Sequence, residues 1–182
     1  MSNMEKTIIN WSLKDVRLWS KIVFEVEEHW VFKQFSWLEN FVRIWKIVIV
    51  DNHHEVLPFW DQNLPVIHID QHTDMRPVEL EGVNVGNFLT YALEKKIIPE
   101  VFQVTTEYKI LNTDFSSLYV NGFILDVDLD FWHPDMSIEQ YKKTISITKE
   151  LIYRAKIVTI ATSPYFLDQH LALQILGDLL HE

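Results

Sequence analysis

Asp70, His72 and Asp74 follow one another at two-residue spacing in the stretch VIHIDQHTDM, residues 66–75. In an extended segment, residues two apart project to the same side. Such a run at a strand end therefore converges two carboxylates and an imidazole on one point, an arrangement suited to a metal ion. Two further apolar runs end in matching chemistry: KIVIV leads into Asp51, Asn52, His53 and His54, and FIL leads into Asp126, Asp128 and Asp130. Asp70, Asp74, Asp126 and Asp128 gathered at one sheet edge would repel one another and resist desolvation. Two divalent cations would cancel that charge and lower the pKa of a water held between them. His53 and His72 fit as neutral imidazole ligands, with His54 the adjacent rival to His53. His68, inside the apolar run, reads as a hydrogen-bonded core histidine. An EF-hand reading of DVDLDFWHPDMS fails, because its sixth position is Phe131 rather than Gly and its twelfth is Ser137 rather than Glu.

To bring these residues together the chain must place several strand ends side by side. IVIV, VIHI and KIVTIA are short continuous apolar runs, suited to strands buried on both faces of a parallel sheet. Another strand is expected near VFQVTT, followed by a polar turn region around Asn112 and Asp114, and a polar turn is expected at 51–55. VGNFLTYALEKK has helical spacing with basic residues in its last turn. Ser137 with Gln140 three residues on is a capping-box signature, and Ile138, Tyr141, Ile145 and Ile152 supply an apolar face, so a helix is expected over 138–155. Leu167, Leu171, Ile175 and Leu179 at four-residue spacing predict a final helix packed on the sheet. Residues 1–45 hold no sustained period and are read as strands with a short helix. Strands alternating with helices, and chemistry placed after strand C-termini, indicate an α/β fold with a mainly parallel sheet between helical layers, a three-layer sandwich.

At 182 residues, with 48% hydrophobic and 23% charged residues, the chain reads as one globular domain with a core large enough to stand without disulfides. It has no Cys, so any metal must use oxygen and imidazole ligands, which suits an ion such as manganese. Only 4 Gly are present, and neither a P-loop nor a G-x-G-x-x-G turn can be written. The net charge of −10 argues against nucleic acid as a partner and mildly favours cationic substrates. With no signal-type opening and no membrane-length apolar run, the expectation is a cytoplasmic protein without membrane association. Of the seven Trp, Trp11, Trp19, Trp30, Trp37 and Trp45 fall in the first quarter, where exposed aromatics would make a homo-oligomer reasonable.

The pieces NHHEVLPFW, HIDQHTD, ILDVDLDFW and TIATSPYF together resemble an arginase-like (ureohydrolase-fold) group of small proteins that includes peptide arginases. The resemblance covers roughly residues 46–180. It implies a compact arginase/deacetylase-like sandwich and two Mn2+ ions per chain. The implied activity is conversion of arginine side chains in a ribosomally made precursor peptide to ornithine, with release of urea. Matched by position, Asp70 and Asp126 would bridge both ions, His53 and Asp74 would complete one, and His72 and Asp128 the other. Asp74 would also orient the attacking water.

Two departures from the wider ureohydrolases stand out. The late-strand acid that holds a guanidinium is replaced by Ala161, Thr162, Ser163 and Pro164, and no histidine lies in 75–92 to shuttle protons. Glu79, Glu81 and Asp168 are then candidates for pairing the guanidinium, Asn84 and Asn87 for lining the pocket or capping the next helix, and His133 for the proton shuttle. Asp130 is read as orienting a ligand or packing at the turn. Three alternatives stay open: the same fold acting on another guanidino or amide substrate, a haloacid-dehalogenase-type phosphatase built on FILDVDLD, and a non-catalytic metal-stabilised peptide-binding module.

Overall fold

The computed structural model describes residues 17–19, 22–25, 46–60, 62–78 and 82–180. Its strands are β1 (Arg17–Trp19), β2 (Ile22–Glu25), β3 (Lys46–Val50), β4 (Val66–Ile69), β5 (Val101–Val104), β6 (Ile124–Asp128) and β7 (Ile157–Ala161). They form one sheet in the order β1-β2-β3-β7-β6-β4-β5. β1 pairs antiparallel with β2, and every other pairing is parallel. The helices are α1 (Phe88–Glu94), α2 (Glu107–Asn112), α3 (Ile138–Arg154) and α4 (Gln169–Leu180). Of the strands and short helix expected in residues 1–45, β1 and β2 fall on described residues and the rest lies outside them.

Strand alternation divides the apolar side chains between two layers. Ile47, Ile49, Ile67, Ile69, Leu125, Val127, Val158 and Ile160 meet Ile110 of α2, Ile145 and Ile152 of α3, and Ile175 and Leu176 of α4. On the other face, Val48, Val50, Val66, Ile124, Ile157 and Ala161 meet Val56, Trp60 and the α1 residues Phe88, Leu89 and Ala92. Both faces of β4, β6 and β7 are covered, which is why apolar residues stand on both sides of these strands, interrupted by His68 in β4, Asp126 and Asp128 in β6 and Thr159 in β7. At about 1.5–3 kcal/mol for each fully buried large apolar side chain, this two-sided core holds the strand ends in fixed register. Among the described residues, no helix is long and apolar enough to cross a membrane.

Local differences from the sequence reading have physical causes. The polar stretch after β3 is not an open turn but begins a 3-10 helix, His53–Phe59. Glu55 fixes its start by accepting hydrogen bonds from the Asn52 backbone N–H at 3.1 Å and from the Asn52 side chain at 3.0 Å. α2, six residues long and capped by Thr106 accepting from the Lys109 N–H, is too short to show a period. The capping box of α3 forms as expected, Ser137 Oγ accepting from the Gln140 N–H and Gln140 Oε1 from the Ser137 N–H, each at 3.2 Å. The buried face of α3 nevertheless turns away from Ile138, which is 75% exposed, and takes in Thr144 and Thr148. Their hydroxyls are satisfied internally, donating to Gln140 O and Thr144 O at 2.9 Å, so burying them is not costly. In α4 the buried set is Ala172, Ile175, Leu176, Leu179 and Leu180, with Leu171 only partly covered.

Candidate metal centre

The C-terminal ends of β3, β7, β6 and β4 lie side by side, where the strand order reverses, as expected for a site in an open α/β sheet. One polar row crosses this otherwise apolar sheet. His68, Asp126 and Thr159 are register partners on β4, β6 and β7, and all three are fully buried. Asp126 Oδ2 lies 2.9 Å from His68 Nδ1, and Asp126 Oδ1 accepts from Thr159 Oγ1 at 2.5 Å. The polar row forms the floor beneath the loops that follow the strands.

His53 stands on this floor at the start of the 3-10 helix, 1% exposed. Its Nε2 is 3.2 Å from Asp126 Oδ2, and its Nδ1 is 3.2 Å from Asp70 Oδ2, 3.4 Å from Asp128 Oδ2 and 3.5 Å from Asp74 Oδ2. Phe88 from α1 packs 5.1 Å from its ring and 6.0 Å from that of His68. Between His53 and His54, the structure brings His53 to the carboxylates.

Beyond β4, Asp70 Oδ1 accepts from the His72 N–H at 2.6 Å and lies 3.1 Å from His72 Nδ1. His72 is half exposed, 3.4 Å from Asp130 Oδ2 and 5.6 Å from the Phe166 ring. Asp74 adopts the left-handed conformation, with φ 49°, which aspartate tolerates better than most residues, and this folds its side chain back into the cluster. Beyond β6, Asp128 Oδ1 accepts from the Asp130 N–H at 3.0 Å and Oδ2 accepts from Ser163 Oγ at 2.5 Å. Ser163, also left-handed with φ 47°, is held by its N–H bond to Asp51 O at 2.9 Å.

The electrostatics are those of a crowded anionic site. Burial alone would lower the pKa of His53, but the charges of Asp126, Asp128 and neighbouring Asp70 override it and raise that pKa well above the ordinary imidazole value. Burial opposes ionisation of Asp126, yet His53 and His68 hold its pKa down to about 2, and they depress Asp70 likewise. Asp128 is raised well above the ordinary value by burial and by the charges of Asp130 and Asp70, and Asp130 is raised to about 6 by burial and Asp70. One imidazolium therefore cannot neutralise the cluster.

Several buried atoms here make no hydrogen bond: His53 Nδ1 and Nε2, His68 Nε2, Asp70 Oδ2 and Asp130 Oδ1. Unsatisfied lone pairs converging in a buried anionic site are what cation ligation would satisfy. Donor atoms of His53, His68, Asp70 and Asp74 all lie within 4.8 Å of one another, and so do those of Asp70, His72 and Asp130; the two groups share Asp70. The oxygen and imidazole donor set fits a divalent ion of the manganese type. Above it opens a cavity of about 310 Å3, lined by the cluster together with Thr73, Arg76, Asn84, Val85, Gly86 and Phe166.

The remaining candidates separate. Glu79 and Glu81 lie outside the described residues. Asp168 does not line this cavity; it caps α4, accepting from the His170 and Leu171 N–H groups at 3.0 and 3.2 Å. Asn84 lines the cavity, whereas Asn87 is buried beneath it, bonded to the Asn84 N–H at 2.8 Å and Gly82 O at 3.0 Å. His133 is not brought to the carboxylates. It pairs with Glu107 at 2.8 Å beside a separate cavity of about 190 Å3 lined also by Gln71, Thr105, Thr106 and Phe131. His68, Thr159 and Ser163 were passed over as site residues. His68 and Thr159 were signalled only by strand parity and register with Asp126, and Ser163 by its place just beyond β7.

No family model and no curated protein matches the sequence. Solved structures do. Proclavaminate amidino hydrolase from Streptomyces clavuligerus superposes with a TM-score of 0.55 at 15% identity, over 74% of this chain and 62% of that one. A hypothetical agmatinase from Burkholderia thailandensis gives 0.55 at 14%, over 78% and 60%. Formimidoylglutamase from Bacillus subtilis gives 0.55 at 13%, over 74% and 58%. The chain thus has the arginase-like α/β fold and spans about three fifths of the length of these proteins. The haloacid-dehalogenase alternative rested on β6 alone and falls with this fold.

Proposed function

We propose that the chain is a manganese-dependent hydrolase that converts arginine side chains within a peptide to ornithine and urea. The observation that carries this reading is the buried cluster of His53, Asp70, Asp74 and Asp128 beneath an open cavity, on a fold shared with amidinohydrolases. His53, Asp70 and Asp74 would hold one ion, and Asp70 and His72, whose donor atoms group with Asp130, the other. Asp128 and Asp126, the latter fixed by His68 and Thr159, are the further carboxylates the two ions would use. Two such ions supply charge neutralisation and a water acidic enough to react near neutral pH.

The chain's own residues do the rest. Asp74 accepts a proton from the attacking water and aims its oxygen at the guanidinium carbon. Ser163 keeps Asp128 turned to the cavity. Water adds to the guanidinium carbon, the bond from that carbon to Nε breaks, Nε takes up a proton as the ornithine amine, and the carbon leaves as urea. A peptide is favoured over a free amino acid because Phe166, which lines the cavity, is 63% exposed and offers an apolar surface to residues flanking the reacting arginine.

A second reading, a small free guanidino compound as substrate, is favoured by the names of the neighbouring structures, an agmatinase among them. Manganese-loaded protein incubated with an arginine-containing peptide, free arginine and agmatine, with products read by mass spectrometry, separates the two. Ornithine in the peptide with released urea supports the proposal. Urea from a free compound alone establishes the second reading. Peptide binding without turnover of any substrate would make the chain a metal-stabilised binding module.

A further inference from the structure

Among the described residues, Arg76 is the one lysine or arginine lining the cavity above the carboxylates. Its backbone N–H donates to Gly86 O at 3.0 Å, which ties the loop after Asp74 to the loop before α1. The side chain then runs across Gly86: a methyl group placed there would sit 3.4 Å from Arg76 Cδ and 3.6 Å from Nε. Asn84 Oδ1, which accepts from the Gly86 N–H at 3.0 Å, borders the same spot. The exposed Arg76 side chain thus lies against Gly86 and Asn84 where all three line the cavity. Among the described residues no carboxylate pairs with it, although Asp70, Asp74 and Asp128 line the same cavity.

A permanent cation in the wall of a cavity built for a guanidinium would oppose the approach of a substrate that carries positive charge alone. A substrate with a carboxylate a few bonds from its guanidinium turns that opposition into a forked, charge-assisted pair. The protein as a whole carries a net charge of −10 and repels acidic ligands at long range, a field that salt screens beyond roughly 10 Å. Any preference for an acidic ligand must therefore come from a local cation. The two metal ions would be taken up by the carboxylates and the reacting group, which leaves Arg76, among the described lining residues, as the cationic side chain for a second charged group. Resting on the guanidino-hydrolase reading above, we infer that Arg76 is a carboxylate-recognition site that selects guanidino substrates bearing an acidic group beside the reacting side chain. The carboxylate comes either from an aspartate or glutamate next to the reacting arginine or from the C-terminus of a peptide ending in arginine.

The test uses two matched peptide pairs with manganese-loaded protein: arginine followed by Asp or by Asn within amidated peptides, and C-terminal arginine as free acid or as amide. Each pair is read by kcat/KM and, independently of turnover, by fluorescence anisotropy. Wild type is expected to favour the carboxylate member of one pair by about 10- to 100-fold, carried mainly by KM, and the favoured pair names the source. Arg76→Gln should level that preference, and Arg76→Glu should reverse it toward a peptide with Lys beside the arginine. Equal use of both members of both pairs by wild type overturns the inference, as does a preference that survives in Arg76→Gln. If no peptide is turned over, the hydrolase reading fails, and anisotropy alone decides Arg76: tighter binding of carboxylate peptides that is lost in Arg76→Gln upholds it, and equal binding overturns it.

Discussion

Replacing Asp130 by Asn should stabilise the metal-free protein, which is unusual for a change at a residue only 7% exposed. Burial and the Asp70 charge raise its pKa from the ordinary 3.8 to about 6. Asp130 therefore binds its proton more tightly in the folded chain. The stability linked to that proton is complete below 3.8 and is lost as pH climbs through about 6. At about 1.4 kcal/mol per tenfold in proton affinity, the loss at pH 8 is on the order of 3 kcal/mol. Asn carries no charge, so Asp130→Asn recovers up to about that amount, or roughly 6–12 °C in Tm for a chain of this size. His53 acts in the same direction, since its raised pKa contributes stability below about 6.5 that is lost as pH rises through the raised value. Asp126 acts oppositely: its depressed pKa contributes stability above 3.8 that is lost as pH falls toward about 2. Metal-free protein should thus be most stable near about pH 4 and lose stability as pH rises from there. Thermal unfolding in chelator, at pH 4.5 and pH 8, is the assay. The variant should exceed wild type by only about 1 kcal/mol at the lower pH and by about 3 kcal/mol at the higher, and lose that advantage once manganese is added. A variant less stable than wild type at pH 8 in chelator would refute the electrostatic account of this cluster.

Asp74→Asn should leave thermal unfolding in chelator close to wild type while lowering turnover by about 10²- to 10⁴-fold, the range for loss of a positioned proton acceptor; unchanged kcat would remove Asp74 from the chemistry. His53→Ala should abolish manganese retention on dialysis, whereas His54→Ala should retain it; the opposite pattern would reassign the ligand. Ser137→Ala removes the hydroxyl that accepts from the Gln140 N–H, the side-chain half of the α3 capping box, and should cost about 1 kcal/mol, seen as a fall of about 2–4 °C in Tm with metal content unchanged.

How much of this was legible depended on whether one element carried the signal. Asp70, His72 and Asp74 announce themselves because period-2 spacing at a strand end is a local pattern, and the apolar runs of β3, β4 and β7 mark buried strands, whereas the strand order is set by pairings no single run encodes. His68 was legible only as a core histidine. Its function depends on register with Asp126 and Thr159 on two other strands, and pairing register is not written in any one of them. Arg76 drew no notice because its meaning comes from Gly86, ten residues on, folding back to bond its backbone. Asp168 and His133 were chosen for charge and proximity in sequence. The fold instead uses Asp168 to cap α4 and pairs His133 with Glu107 of α2, a helix too short to be read in advance. On α3 the aliphatic pattern pointed to Ile138, yet Thr144 and Thr148 take the buried face, because back-bonded hydroxyls can be buried like small apolar groups.

The central claim is that the buried carboxylates and imidazoles are a two-cation site. Manganese retained per chain after exhaustive dialysis, measured by elemental analysis on wild type and Asp70→Asn, tests it most directly. Wild type should hold about two ions and Asp70→Asn, which removes the carboxylate shared by both ligand groups, no more than about one. Wild type that retains no manganese, cobalt or zinc would contradict it.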